Sequence, residues 1–354
     1  MHRHHVANGP PEPPVLRVEG LTIQLGTRRG KGIAVDGVGF DLKKGRTLGL
    51  IGESGSGKSL TAMALLDLLQ KNVLRITGGR IEYDGKDLVQ LDAEARRAYR
   101  GRHISMVLQD PLAALNPVLT VRDQLFEALR LHHGLKGAAL RARAVELLRL
   151  MRIPSPDARL EAYPHEMSGG MRQRVVGAIA LAGDPAVLVA DEPTTALDVT
   201  VQAAYLELLK KIQAERGMAI LFITHDFAVV GEICDEVAVM YAGRIVEKGT
   251  TAEVFGDARH PYTKALLKAV PDITEKPRAL ASIPGTPPSV FAMPPGCRFH
   301  PRCWLHKAMG CPSRCREEAP ADHATGPGRT AACHFTEEAA ASEPAASRGD
   351  DDIQ

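Results

Sequence analysis

The chain runs to 354 residues, 44% of them hydrophobic and 24% charged, with a formal net charge of +2. That length predicts two or three domains, and it is far above the size at which a fold needs staples. A balance so close to neutral gives no strong field for nucleic acid or an anionic membrane, and no apolar run reaches the ~18 residues of a bilayer span.

Residues 1–14, MHRHHVANGPPEPP, have no apolar segment of the secretory kind and are interrupted by Pro10, Pro11, Pro13 and Pro14, so they read as a disordered tail. Without a signal the chain reads as cytoplasmic, where disulfides rarely persist. VLRVEGLTIQL and AVDGVGFDL alternate with β-branched residues and predict strands. TLGLIG is a short apolar run bounded by glycines, the pattern of a buried strand, and SLTAMALLDLLQ after it has helical period. GRIEYDGKDL predicts a hairpin and HISMVLQD a further buried strand. Between Val121 and Met151, VRDQLFEALRLHHG and AALRARAVELLRLM predict two helices. AVLVADEP predicts a strand ending in acids, VQAAYLELLKKIQAERG an amphipathic helix, and AILFITHD and EVAVMYAGRIVEKG more strands. Strands alternating with helices predict an α/β domain with a largely parallel sheet. From Pro261 a helix, PYTKALLKAV, gives way to proline-rich PGTPPSVFAMPPG and then to cysteines, a composition shift that marks a domain boundary. The segment after Phe335 is small, polar and acidic, and reads as disordered.

GESGSGKS, Gly52 to Ser59, fits G-x-x-x-x-G-K-[ST] between a predicted strand and a predicted helix. Backbone N–H groups of such a glycine-rich nest point inward at phosphates, and the helix N-terminus adds partial positive charge. Gly52, Ser54, Gly55, Ser56, Gly57 and Leu60 belong to this candidate cradle, with Lys58 reaching the β- and γ-phosphates and the Ser59 hydroxyl ligating Mg²⁺. Asp191 and Glu192 lie at a strand's C-terminal end, where open α/β sheets bind ligands. There Asp191 is placed to hold Mg²⁺, and Glu192 to accept a proton from an attacking water. Loop and acids alone define no more than a nucleoside triphosphatase.

MSGGMRQR, Met167 to Arg174, narrows that reading. It resembles the signature of ATP-binding-cassette ATPases. The other motifs fall in the order of that family: Gln109 after a strand, the signature, Asp191-Glu192, TALD ending at Asp198, and ITHD with His225. The resemblance covers about Val15 to Gly249 and implies a P-loop NTPase cassette. Its parts are a RecA-like parallel-sheet core, an antiparallel β subdomain and a helical signature subdomain, here about 111–170 within a cassette of 15–256. Ser168, Gly169 and Gly170 would form an anion site at a helix N-terminus that faces the ATP of a partner cassette, so that two ATPs lie between head-to-tail subunits. The resemblance also implies that His225 contacts the γ-phosphate, that Gln109 senses Mg²⁺ or water and relays to a membrane subunit, and that Asp198 belongs to the nucleotide-binding set. Met167 and Met171 replace the family's usual Leu and Gln. The family's aromatic that stacks on adenine has no counterpart, because the first aromatic is Phe40, inside a predicted strand; Ile33 is the candidate cover for the base.

HPYTKALLKAVP, IPGTPP, GCRFHPRC and LQDPLAALNPVLTV resemble the ATPase subunits of dipeptide, oligopeptide and nickel importers. The resemblance implies a peripheral subunit at the cytoplasmic face of the cell membrane. Its partners would be a second, non-identical cassette ATPase, two transmembrane permease subunits and an extracytoplasmic substrate-binding protein, with no nucleic acid. An ATPase for nickel or another small solute, and a soluble cassette acting on nucleic acid or ribosomes, are the competing readings. The domain after the cassette spans 257–336, with 337–354 as a second disordered tail. It holds Cys297, Cys303, Cys311, Cys315 and Cys333. Structural zinc usually shows tight knuckles, which only Cys311 and Cys315 approach, and four thiolates at wide spacing suit an iron–sulfur cluster about as well, so zinc stays an alternative. The family resemblance selects Cys297, Cys303, Cys315 and Cys333 as ligands of a [4Fe–4S] cluster, with Cys311 as an alternative. Cys234, beside an amphipathic helix, reads as a small buried hydrophobe.

Overall fold

The computed structural model describes residues 13–28, 30–195, 197–269 and 283–344. The first expected tail therefore lies almost wholly outside the described residues, as does 345–354.

β1 (Leu16–Thr27) and β2 (Gly30–Leu42) form an antiparallel hairpin from Leu16 opposite Leu42 to Thr27 opposite Gly30. β1 buries Leu16 and Val18, then Leu21 and Ile23, each pair at the two-residue period of a one-sided strand, with a register shift between Val18 and Leu21. β3 (Thr47–Ile51) is buried at every position and runs into the phosphate loop and α1 (Lys58–Leu65). β4 (Leu74–Tyr83) returns to pair with β1 and turns into β5 (Lys86–Asp87), completing a four-stranded antiparallel sheet of order β2-β1-β4-β5. After α2 (Ala93–Tyr99) the chain enters β6 (Ile104–Val107).

A helical layer follows: α3 (Pro111–Ala114), α4 (Val121–His133), α5 (Gly137–Leu150), α6 (Pro156–Leu160) and α7 (Gly169–Ala180). α4 shows how locally these elements are specified. Thr120 and Asp123 form a reciprocal capping box at its start, Gly134 closes it at φ 64°, and Val121, Leu125 and Leu129 bury one stripe. α7 carries the signature subdomain ten residues beyond the expected limit of 170, back to the core.

β7 (Val187–Asp191), α8 (Val199–Arg216), β8 (Ala219–Thr224), α9 (Phe227–Ile233), β9 (Glu236–Tyr241) and β10 (Arg244–Thr250) complete the cassette. β9, β3, β8, β7 and β6 are parallel neighbours, and all five residues of β7 and all six of β8 are buried, as a sheet covered on both faces demands. Cys234 lies buried against Gly49 of β3, as a small hydrophobe.

α10 (Thr251–Gly256) ends the cassette, and the C-terminal extension comprises α11 (Pro261–Lys268), α12 (Trp304–Ala308), α13 (Arg314–Glu317), β11 (His323–Gly326), β12 (Arg329–Ala331) and α14 (Thr336–Ala341). It does not stand apart from the cassette. β12 pairs antiparallel with β10, so the central sheet continues as β11-β12-β10-β9-β3-β8-β7-β6. Phe299, Leu305 and Ala339 are buried in the same apolar core as Phe222 and Val239. The chain after Phe335 is also not a tail at once. Lys264 donates to the carbonyls of Ala340 and Ser342 at 2.8 Å each, supplying a cation to the C-terminal end of α14, and Arg259 pairs with Glu337 at 3.0 Å.

Glu247 of β10 is fully buried beneath this seam. It accepts from the backbone N–H groups of Arg259 (2.8 Å) and His260 (3.0 Å) and pairs with buried Arg329 at 3.2 Å. Burial pushes its carboxyl above the usual range, and these donors oppose the shift. Removing Arg329 leaves a buried carboxylate short of its counter-charge, so Arg329→Ala should cost about 3–5 kcal/mol. Arg17→Ala, at an exposed pair with Asp41, should shift the urea midpoint little. Equal midpoint shifts for the two variants would refute the structural weight given to this pair.

Candidate nucleotide site

The phosphate loop leaves β3 at Gly52, whose φ of 150° and close packing on the Met240 carbonyl admit no side chain. Gly57, at φ 106°, turns the chain into α1. Lys58 is buried and folds back along the loop, donating to the Gly52 carbonyl at 2.7 Å and the Glu53 carbonyl at 2.9 Å, with the Ser56 hydroxyl at 3.5 Å. Burial lowers its pKa, while Glu192, Asp191 and Glu53 pull it up. Ser59 at the start of α1 donates to Asp191 at 3.2 Å, so the two expected magnesium ligands already touch. Burial raises the Asp191 carboxyl, against the Ser59 hydrogen bond.

Glu192, one residue past β7, sits at φ 47°, a left-handed conformation that a non-glycine residue adopts only under constraint. Its carboxylate accepts from the Gln109 amide at 3.0 Å and the Thr195 hydroxyl at 3.1 Å, and His225 Nδ1 lies 3.2 Å from its other oxygen. Gln109, Glu192 and His225 are thus brought together, and Gln109 and Glu192 line one cavity with Ser54, Gly55, Gly57 and Lys58.

The signature is placed elsewhere. Ser168 caps α7 by accepting from the Met171 N–H at 3.3 Å, Gly170 packs on Val201, and a side chain at Gly169 would meet nothing. Asp198 caps α8 by accepting from the Val201 N–H at 3.0 Å. Ser168, Gly169, Gly170 and Asp198 do not line the cavity of the phosphate loop.

Residues 35–195 match the ABC transporter family, and residues 246–311 match the oligopeptide/dipeptide transporter C-terminal region. The chain is 49% identical to the dipeptide transport ATP-binding protein of Bacillus subtilis, over 82% of this chain and 86% of that one. It is 42% identical to the protein of the same name from Escherichia coli, over 91% and 96%. Its fold is similar to an ATP-binding cassette solved as a dimer with ADP and phosphate: TM-score 0.60, 26% identity, 67% of this chain and 98% of that one. The chain belongs to the ABC transporter family of ATPases.

The cassette's phosphate loop is gripped from behind by the extension. Arg302 donates from Nη1 to Glu53 Oε2 at 2.7 Å and from Nη2 to Glu53 Oε1 at 3.0 Å, a bidentate fork with the arginine buried. The same guanidinium donates to the carbonyls of Pro284 (2.9 Å) and Ile283 (3.2 Å), and the Tyr262 hydroxyl accepts from the Glu53 N–H at 2.9 Å. The sequence reading missed Glu53, Tyr262 and Arg302. Glu53 occupies an unspecified position of the loop motif, and its partners lie more than 200 residues later.

Next to Arg302 in sequence is Cys303. Cys297, Cys303, Cys315 and Cys333 line one small cavity with His260 and Phe299. Cys311 is exposed and does not line it. Burial raises the thiol pKa of all four, Cys303 and Cys333 to about 12. The His306 and Phe335 N–H groups each donate to a cysteine sulfur, of Cys303 and Cys333 respectively, at 3.4 Å. All six cysteines are free thiols. Among the described residues no group of three or more His, Cys, Asp or Glu side chains is arranged to hold a metal ion.

The Arg302 fork gives a direct prediction. Charge-assisted hydrogen bonds are worth about 1.5–3 kcal/mol each, and losing both lets the loop relax. Arg302→Ala should raise the Kd for ATP with Mg²⁺ by about tenfold or more. Arg302→Lys should restore only part of the affinity, because an ammonium cannot grip both carboxylate oxygens. Calorimetric titration in which Arg302→Ala binds as tightly as the unaltered chain would overturn this support role.

Proposed function

We propose that this chain is the subunit that binds and hydrolyses ATP to energise a multi-subunit importer of di- or oligopeptides, acting at the cytoplasmic face of the cell membrane. The observation that carries the reading is the convergence of Gln109, Glu192 and His225 at the mouth of the loop bearing Lys58 and Ser59. The match of the extension to the oligopeptide/dipeptide transporter C-terminal region, and relatives named as dipeptide transport ATP-binding proteins, support the cargo class.

In this reading the phosphates are held by the Lys58 ammonium and by loop amides between Gly52 and Gly57 other than those of Glu53 and Ser56, which donate to the Tyr262 hydroxyl and the Glu53 carbonyl. Ser59 and Asp191, 3.2 Å apart, with Gln109 close by, hold a magnesium ion, which supplies charge neutralisation on the phosphate oxygens. Glu192 takes the proton of the attacking water, and His225 contacts the γ-phosphate. Ser168, Gly169, Gly170 and Asp198 serve the nucleotide of a second, non-identical cassette. The separation of those four residues from this chain's own loop supports that assignment.

Among the described residues no helix is long and apolar enough to cross a membrane. Two transmembrane permease subunits complete the pathway, with an extracytoplasmic protein delivering the solute. Exposed Leu108, Leu112 and Val118, beside Gln109 and before α4, fit a groove for a permease helix.

The extension carries a [4Fe–4S] cluster on Cys297, Cys303, Cys315 and Cys333. The donor set fits: four thiols share one cavity and two receive backbone N–H donors, while Cys311 stands outside. Zinc requires four ligands about 2.3 Å from one ion, whereas the thiolates of a cluster each take a separate iron. The four thiols, raised by burial, give up their protons on metal binding.

Two measurements test these assignments. Glu192→Gln in the assembled transporter should keep nucleotide binding and lower ATP turnover about 10²–10⁴-fold, the scale of a lost general base. Normal turnover would remove Glu192 from the role. Protein prepared without oxygen should be brown and hold about four irons, and Cys303→Ser should lose both colour and iron. A colourless preparation with one zinc per chain would replace the cluster by zinc.

A further inference from the structure

An adenine base needs an apolar surface to leave water, and the aromatic of β2, Phe40, is buried in the core and does not line the nucleotide cavity. Ile33 does not line the nucleotide cavity; its small neighbour Ala34 does. The remaining apolar lining comes from Leu60, next to the loop, from Ala242, and from Pro287, Pro288, Val290 and Met293 of the C-terminal extension. We infer that this proline-rich segment is the wall against which the base of the nucleotide packs, with Val290 and Met293 as its main apolar contacts. The inference rests on the reading of the loop as an ATP site and adds a base-binding surface to it.

Three observations support the segment as a built wall rather than a passing linker. It crosses β2 at contact distance, and a Cβ on Gly32 would collide with the Val290 carbonyl. It is tied at both ends. Arg302 holds the carbonyls of Ile283 and Pro284 at the start while gripping Glu53 of the loop. At the other end the Cys297 N–H donates to the Cys315 carbonyl at 2.9 Å, and Arg298 donates to Asp36 and to the carbonyl of Ala242, itself a cavity residue. Finally, Pro284, Pro287, Pro288, Pro294 and Pro295 fix φ at five positions, so little chain entropy is lost when a ligand seats. Val290 and Met293 are half-buried, with surface left for a ligand to cover.

The chemistry of the wall sets its selectivity. Apart from the weak thioether acceptor of Met293, none of these side chains carries a hydrogen-bonding group to read the edge of a base. The wall therefore rewards the presence of a purine rather than its identity, and ATP and GTP should bind with similar affinity.

Calorimetry on the full, metal-loaded chain with ATP, GTP and inorganic tripolyphosphate, each with Mg²⁺, tests this. The double variant Val290→Ala, Met293→Ala should raise the Kd of ATP and GTP about tenfold and leave tripolyphosphate unchanged. Unaltered tripolyphosphate binding also shows that the variant is folded with an intact loop. Gly32→Ala, which pushes the segment off β2 through the Val290 carbonyl, should give the same selective loss. An unchanged Kd for ATP in both variants overturns the wall, as does an equal weakening of tripolyphosphate, which would mean that the segment acts through the loop. An unaltered chain that binds neither ATP nor tripolyphosphate refutes the nucleotide site itself, and the wall with it.

Discussion

A loop that keeps N–H groups for a ligand has few left to hold its own shape; here the Ser56 N–H donates to the Glu53 carbonyl and the Glu53 N–H to the Tyr262 hydroxyl. The phosphate loop of this chain is accordingly fixed from outside. Gly52 packs on the carbonyl of Met240 in β9. The Gly243 N–H donates to the Ser56 carbonyl at 2.9 Å. Tyr262 and Arg302 secure the backbone and the carboxylate of Glu53. Every one of these clamps lies at or beyond β9, so the most ligand-ready segment of the first half of the chain is shaped by its last third.

The acid side of the site follows the same pattern. Glu192 at φ 47° carries a backbone cost of order 1–3 kcal/mol. It persists because its N–H donates to the Ile223 carbonyl at 2.9 Å and because Gln109, Thr195 and His225 surround its carboxylate. The strain aims the carboxylate at the loop rather than along the strand. Gln109 follows β6 and His225 follows β8, so the neighbours of β7 in the sheet deliver both to its end.

What could be read from the sequence divides by range. The loop motif, the Asp191-Glu192 pair, the signature and the capped helix α4 are contiguous patterns whose chemistry is local, and each lies where its pattern placed it. The extension is different. α12, α13, β11 and β12 span three to five residues each, too short for periodicity to register. Their order comes from distant pairs such as Arg329 with Glu247 and Arg302 with Glu53. α14 read as a polar tail because its stabilising cation, Lys264, is more than 70 residues away. Proline-rich 284–295 read only as part of a composition shift at a domain boundary, because composition reports stiffness and not what the stiff segment leans on. The one available signal was Arg302 beside Cys303, a cation at a position the cysteines must order.

That adjacency has an energetic consequence. Holding an arginine side chain in one geometry costs ~2 kcal/mol of rotamer entropy, and Arg302 is held by the segment around it: Cys303 caps α12 by accepting from the His306 N–H, and Phe299 seats between Tyr241 and Tyr262. The extension packs Tyr262, Phe299, Leu305 and Trp304 on the cassette core, and its order depends further on β12 joining β10 and on the buried Glu247 pair. Arg302 bonds simultaneously to the phosphate loop and to the segment at its side. Arg302 is therefore the contact through which order in the extension bears on the loop: what fixes its side chain also fixes Glu53, and by linkage a ligand that fixes Glu53 favours the ordered extension.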